Sequence, residues 1–167
     1  QQAVQQMVGV LLVSVLLLFF ILAAQFESLV QPFIILSEIV LDIFVVLVIL
    51  YLLRLAIDLM SMTGLIVMAG IVINDSILKV DTINRHRKSG MPLFESIVKA
   101  GRERLLPILM TSLTTIFSLV PFLSGGSIGA DLQFPLSLTI LVGMVVGTGV
   151  SIFFVPILYY VIYRKRK

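Results

Sequence analysis

The chain has 167 residues, of which 59% are hydrophobic and 13% are charged, and its mean hydropathy is +1.16. This composition is too apolar for a soluble domain of this size, so we expect an integral membrane protein. The lack of cysteine excludes a disulfide framework, a thiol nucleophile and a cysteine-ligated metal site. The net charge of +3 comes from basic residues beside apolar runs, which favours the lipid surface over nucleic acid as a partner.

Five apolar runs occupy residues 7–24, 32–53, 59–82, 105–123 and 134–162, with approximate ends. Each reaches the length of roughly 17–25 residues that a transmembrane helix needs. Residues 92–101, between the third and fourth runs, carry their apolar side chains on one side, which predicts a short cytoplasmic interfacial helix. The predicted fold is therefore an all-α polytopic membrane protein, with residues 1–167 in a single transmembrane domain.

Basic residues set the predicted orientation, because Lys and Arg accumulate on the cytoplasmic side of membrane proteins. They crowd the connection between spans three and four and follow span five, at Arg85, Arg87, Lys88, Lys99, Arg102, Arg104 and 164–167. Both regions, and hence the C-terminus, are predicted to be cytoplasmic. His86 falls in this basic connection and is predicted to be a solvated loop residue rather than a ligand. Residue 1 lacks an initiator Met and a basic leader, so we expect it to be an interior position of a longer chain.

Span two contains Glu38 and Asp42, which are four residues apart and therefore on one helical face. Two carboxylates cannot both ionise cheaply at low dielectric, so at least one is expected to carry a proton. Such a pair suits proton handling. Hydrogen bonding to neighbouring helices is the alternative role.

Span three contains Asn74, Asp75 and Lys79 before its apolar run has ended. Inserting a charged residue at the centre of a transmembrane helix costs about 2.5–3.5 kcal/mol, so we expect these residues to have a structural or functional role. Asp75 and Lys79 are four apart, lie on one face with Asn74 beside them, and can neutralise each other. Intramembrane ionisable groups usually mark an ion or proton pathway. The alternative is a salt bridge that only tolerates the charges.

Span four opens with Arg104 and carries a run of hydroxyl side chains that includes Thr111. At a rise of about 1.5 Å per residue, Thr111, Glu38 and Asp75 all fall roughly 7–9 Å from the inner edge of the hydrocarbon. The sequence therefore predicts one polar layer built from spans two, three and four. The alternative is a membrane-anchoring role for Arg104 and routine bonding of the hydroxyls to their own helix.

Span five contains Gly143-x-x-x-Gly147, a spacing that permits close approach of another helix and predicts packing rather than chemistry. No phosphate-binding loop, nucleophile and base pair, or metal constellation occurs along the chain. The sequence thus predicts neither a cofactor nor a metal, and an enzyme is disfavoured.

Four segments resemble the C-terminal membrane portion of a resistance-nodulation-division (RND) efflux transporter of the hydrophobe/amphiphile branch. They are LAAQFES (22–28), MAGIVINDSILKVD (68–81), GRERLLPILMTSLTTI (101–116) and FVPILYY (154–160). The resemblance implies that this chain is a fragment, helices eight to twelve, of a twelve-helix fold in a bacterial inner membrane. It also implies proton-driven export of hydrophobic or amphiphilic compounds, with protons as the coupling ion.

The same resemblance assigns roles to individual residues. The tenth-helix lysine of well-studied drug pumps falls on Asn74, and the eleventh-helix arginine and threonine fall on Arg104 and Thr111. Together with Asp75 these form the predicted proton relay, and Glu38, Asp42 and Lys79 are additional intramembrane charges. Asn74 departs from the lysine-bearing pumps.

The resemblance also implies partners. They are the N-terminal membrane half and periplasmic domains of the same transporter, within a homotrimer that joins a periplasmic adaptor and an outer-membrane channel. Two other hypotheses remain: a structural or assembly element whose polar groups only fasten helices together, and a small, separately encoded channel or transporter subunit.

Overall fold

The computed structural model describes residues 2–55, 57–123 and 128–164, and these residues form five α-helices without a strand. The helices are α1 (Gln2–Phe26), α2 (Val30–Leu52), α3 (Leu59–Lys88), α4 (Leu93–Leu123) and α5 (Ile128–Arg164). All five are long and apolar enough to cross a membrane. The predicted all-α fold with five long apolar helices is therefore confirmed.

Helix α4 differs from the prediction because it joins the expected interfacial helix and the fourth span into one helix from Leu93 to Leu123. Pro107 lies inside it and removes one backbone donor without ending the helix. Gly101, which precedes it, weakens a helix but does not stop it. Where the membrane begins along α4 stays a prediction.

His86 also differs from the prediction, because it lies in the last turn of α3 rather than in a loop. Its Nε2 atom is 3.0 Å from Glu103 Oε2 of α4, so it links two helices. Residues 124–127 of the predicted outer turn and residues 165–167 of the basic end lie outside the described residues.

Helix α5 holds the bundle together, because it contacts α2, α3 and α4, while α1 lies against α2 and α3. The buried apolar side chains form two clusters. The first contains Leu22, Ile34, Ile35, Val80, Ile83, Ile97, Ala100, Val155 and Tyr159. The second contains Val46, Leu50, Leu65, Met68 and Val72.

Glycines allow α3 and α5 to approach closely. A Cβ atom on Gly143 would overlap the Met68 side chain, and one on Gly147 would lie 2.7 Å from a methyl group of Val72. From the α3 side, a Cβ on Gly64 would lie 2.9 Å from the carbonyl oxygen of Leu136. Gly143 and Gly147 thus lie in a helix contact, as the small-residue spacing predicts.

One end of the bundle is fastened by polar and aromatic side chains. Asn84 Nδ2 donates to Gln31 Oε1 at 2.7 Å, and the Tyr159 hydroxyl donates to Asn84 Oδ1 at 2.7 Å. Tyr159 stacks on Tyr163, with ring centroids 4.4 Å apart, and the Arg87 guanidinium lies 4.8 Å from the centre of the Tyr163 ring. This arrangement ties α2 and α3 to the end of α5.

The close approach of α3 and α5 at Gly64 predicts a matched pair of mutations. Gly64→Ala places a methyl group against a backbone carbonyl that cannot rotate away, so we expect a loss of about 1–3 kcal/mol in stability, as for overpacked cores. Gly70→Ala, on the same helix, meets no atom within 4 Å and is the control. Thermal melting of the full-length transporter in detergent measures both. Equal melting temperatures for the two variants would contradict the proposed contact.

Candidate functional site

Four ionisable side chains lie inside the bundle and form what we call the charged cluster: Glu38, Asp42, Asp75 and Lys79. They are 0%, 1%, 8% and 2% exposed, respectively. The first two lie on one face of α2 and the last two on one face of α3, because residues four apart share a helix face. Helices α2 and α3 pack against each other, and both contact α5, so the two charged faces lie in the interior of the bundle.

The charged cluster separates the two apolar clusters along both helices. On α2 the carboxylates fall between Ile35 of the first apolar cluster and Val46 of the second. On α3 the charges fall between Val72 of the second and Val80 of the first. Apolar side chains therefore border the charges from both directions, which strengthens every electrostatic interaction in the cluster.

Helix α5 supplies Ser151, which completes the hydrogen bonding of the cluster. The Lys79 ammonium donates to the Ser151 hydroxyl at 2.8 Å and also to its carbonyl oxygen. The Ser76 hydroxyl donates to Glu38 Oε2, and its oxygen lies 3.2 Å from that of Ser151. These contacts connect α2, α3 and α5 in one buried polar network.

The sequence reasoning missed Ser76 and Ser151. Ser76 precedes Lys79 by three residues, a spacing that places both on one helix face. Ser151 follows Gly147 by four residues, on the stripe of small residues that packs against α3. These spacings were the available signals. They could not identify the network, because only the packing of α5 onto the charged face brings Ser151 to Ser76 and Lys79.

Three carboxylate oxygens of the cluster have no hydrogen-bond partner within the part of the chain that the structure describes. They are Glu38 Oε1 and both side-chain oxygens of Asp42. Asp42 lies beside Gly147, where a Cβ atom would be 3.4 Å from Asp42 Oδ2. Because a bare buried carboxylate is costly, these oxygens require a proton or another positive charge.

Asp75 and Lys79 do not form the direct ion pair that their spacing suggests. Across the described ranges, the ion pairs are Arg85 with Asp81 and His86 with Glu103. Lys79 extends toward α5 because a serine hydroxyl and a backbone carbonyl are available there. The expected mutual neutralisation is thus replaced by a network that spans three helices.

Three of the four predicted relay residues, Asn74, Arg104 and Thr111, lie outside the charged cluster, whereas Asp75 belongs to it. Asn74 and Thr111 are exposed, and Thr111 donates to the Pro107 carbonyl of its own helix at 3.0 Å. Arg104 is half-buried, and its Nε donates to Thr82 Oγ1 of α3 at 2.7 Å. The expectation that Thr111 shares one buried layer with Glu38 and Asp75 is therefore wrong for this chain, because Thr111 is exposed and bonds to its own helix.

The turn of a helix explains why Asn74 separates from its neighbours. Successive residues are rotated by about 100° around an α-helix, so Asp75 faces the interior while Asn74 faces outward. The expectation that Asn74 lies beside Asp75 and Lys79 is wrong for the same reason. Most of the α4 hydroxyls bond to their own helix, as the alternative interpretation predicts, and Ser112 also contacts Thr148 of α5.

The charged cluster combines groups that can take part in proton exchange. It holds three carboxyl groups and one ammonium group, so full ionisation would leave two uncompensated negative charges. Among the described residues, no group of three or more His, Cys, Asp or Glu side chains could hold a metal ion. Carboxyl, hydroxyl and ammonium groups in one network can accept, donate and share protons.

Comparison with known proteins gives concordant results. The sequence model of the AcrB/AcrD/AcrF family matches residues 1–163. The chain is 30% identical over 158 residues to swarming motility protein SwrC of Bacillus subtilis (strain 168), covering 94% of this chain and 15% of that protein. It is 29% identical over 168 residues to multidrug resistance protein MdtC of Erwinia amylovora, covering 100% of this chain and 16% of that protein.

A solved structure shares the fold. The crystal structure of a heavy metal efflux pump superposes with a TM-score of 0.83 at 29% identity, over 94% of this chain and 16% of that one. The chain thus spans about one sixth of the length of the relatives that it matches, and the solved structure among them is an efflux pump rather than an enzyme. Five apolar helices and a family match over residues 1–163 lead to one conclusion: the chain belongs to the AcrB/AcrD/AcrF family and is a multi-pass membrane fragment of an RND efflux transporter.

Proposed function

We propose that this chain forms one side of the proton-coupling interface of an RND exporter in a bacterial inner membrane, with its C-terminus in the cytoplasm. The observation that carries the proposal is the burial of Glu38, Asp42, Asp75 and Lys79 within helices that are otherwise apolar. Ionisable groups at membrane depth are expensive and usually serve transport of protons or ions. Protons are the proposed coupling ion.

Asn74, Arg104 and Thr111, which are exposed or half-buried, are the proposed contacts with acids of the other membrane half. Thr82 occupies the Nε donor of Arg104. Within the described chain, the two terminal nitrogens of the guanidinium remain free to face a carboxylate from outside it, in the forked geometry that guanidinium groups favour. Protonation of that carboxylate would weaken the attraction and shift the packing of α3 against α4. Periplasmic domains of the same transporter would then receive the movement.

Hydrophobic or amphiphilic compounds are the proposed substrates of the whole transporter. One relative, 31% identical over 152 residues, is the toluene efflux pump membrane transporter TtgE of Pseudomonas putida. The structural relative is a heavy metal efflux pump. The proposal of the organic class follows the resemblance to the hydrophobe/amphiphile branch. A homotrimer with a periplasmic adaptor and an outer-membrane channel is the proposed assembly.

A second candidate function is supported by the hydrogen bonds themselves. Ser76 joins α3 to α2, and Lys79 joins α3 to α5, so the network also fastens three helices. In this alternative the polar groups contribute stability and orientation, and no proton moves through them.

Replacing Arg104 tests the proposed interface. Arg104→Ala in the full-length transporter removes the guanidinium that would bind an acid of the other half, so we expect loss of export at normal expression. Arg104→Lys keeps the charge but not the fork, and should retain part of the export. Lys99→Ala, an exposed basic residue of the same helix, is the control. Export assays in whole cells measure all three, and normal export by Arg104→Ala would remove this residue from coupling.

Replacing Asp75 separates the two candidate functions. Asp75→Asn preserves shape but cannot exchange a proton, so proton coupling predicts loss of export with little change in thermal melting. If the cluster only fastens helices, the same variant keeps its export and melts at a slightly lower temperature. Export and melting are measured on the same preparations of full-length transporter.

A further inference from the structure

We propose that Glu38 and Asp42 form a proton-binding site that is complete within these five helices and that shares one proton between the two carboxyl groups. This site is distinct from the proposed contacts at Asn74, Arg104 and Thr111. It needs no residue from another part of the transporter, because α2, α3 and α5 enclose it.

The carboxylate oxygens without a hydrogen-bond donor are the first evidence for a shared proton. Ser76 already donates to Glu38 Oε2, which leaves Glu38 Oε1 and both oxygens of Asp42 without a donor in the described part of the chain. Two carboxyl groups one helical turn apart can satisfy each other when one is protonated, since a carboxylic acid donates and a carboxylate accepts. A single proton thus gives Asp42 a partner and also removes one of two like charges.

The charged groups that face Glu38 and Asp42 determine how many protons the cluster binds. Helix α3 contributes Asp75 and Lys79, helix α5 contributes the uncharged Ser151 and Gly147, and helix α1 contains no ionisable side chain. With the pair sharing one proton, Lys79 compensates one of the two remaining carboxylates. The remaining negative charge is assigned to Asp75, which is the most exposed of the four side chains.

A proton fits the site better than a metal cation. Calcium takes about six to eight oxygen ligands and magnesium requires an octahedral set, whereas this pair offers three unpartnered oxygens. The Lys79 ammonium in the same network also repels a metal cation.

A cavity gives the network a route to its surroundings. It has a volume of about 210 Å³ and lies between α3, α4 and α5, where its lining includes Lys79, Gly101, Arg102, Ile108 and Ile152. Lys79 is the member of the charged cluster that borders it. Water in this cavity would reach the ammonium end of the network, while Glu38 and Asp42 stay enclosed.

Infrared difference spectroscopy of the purified full-length transporter tests the proposal. A protonated carboxyl group has a C=O stretching band that a carboxylate lacks and that shifts in D₂O. We expect a component of this band at neutral pH in the wild type that is lost in both Glu38→Gln and Asp42→Asn and retained in Asp75→Asn. The exposed Glu95→Gln is the control for an amide substitution.

Lys79→Met gives a change of opposite sign. Without the ammonium the cluster must bind a further proton, so the band should increase. A band that is unchanged from the wild type in both Glu38→Gln and Asp42→Asn, that decreases only in Asp75→Asn, or whose Glu38- and Asp42-dependent component is removed by sodium ions would overturn the proposal.

The infrared measurement does not depend on transport activity. If the single variants do not fold, the wild type decides, because the absence of a D₂O-sensitive carboxyl band at neutral pH also contradicts a shared proton. The inference rests on the proposed function only for the use of this proton in transport. A positive infrared result with unaffected export in Glu38→Gln would contradict that use and leave the binding site intact.

Discussion

The hydrogen bonds from Lys79 to Ser151 are the interaction on which the rest of the interior depends. They place a positive charge of α3 against the backbone of α5, at the level where Glu38 and Asp42 of α2 enter the bundle. Leaving a buried charged group without its hydrogen-bond partner typically costs about 1–3 kcal/mol or more. The small residues Gly143 and Gly147 make this contact possible, since they bring α5 close to α3.

Two polar regions with different surroundings result from this packing. The charged cluster is enclosed by α2, α3 and α5 and lies between two apolar clusters, so its charges interact strongly with one another. Asn74 and Thr111 are exposed and Arg104 is half-buried, so these residues can meet groups from outside the five helices. Helix α3 carries residues of both regions. A change of charge in one region can therefore shift α3 and alter the contacts that it makes in the other region.

Much of the architecture follows from the sequence because apolar length dictates membrane helices, and all five are found. The burial of Glu38 and Asp42 on one face also follows from their spacing. The partner of Lys79 did not follow, because spacing along α3 points to Asp75 and only tertiary packing brings Ser151 within reach. Thr111 was misplaced because equal depth along two helices says nothing about the direction in which a side chain points. The prediction of a separate interfacial helix was wrong because amphipathic and apolar segments can continue in one helix without a break.

Buried charge in this chain is explained most economically if it exchanges protons during transport. Substrate-dependent proton flux into liposomes that contain the full-length transporter, followed with a pH-sensitive dye, tests this claim most directly. For a transporter with both Glu38→Gln and Asp42→Asn, we predict that the flux is lost while the protein remains folded and inserted. Flux equal to that of the wild type would contradict the account and leave the charged cluster as a means of holding helices together.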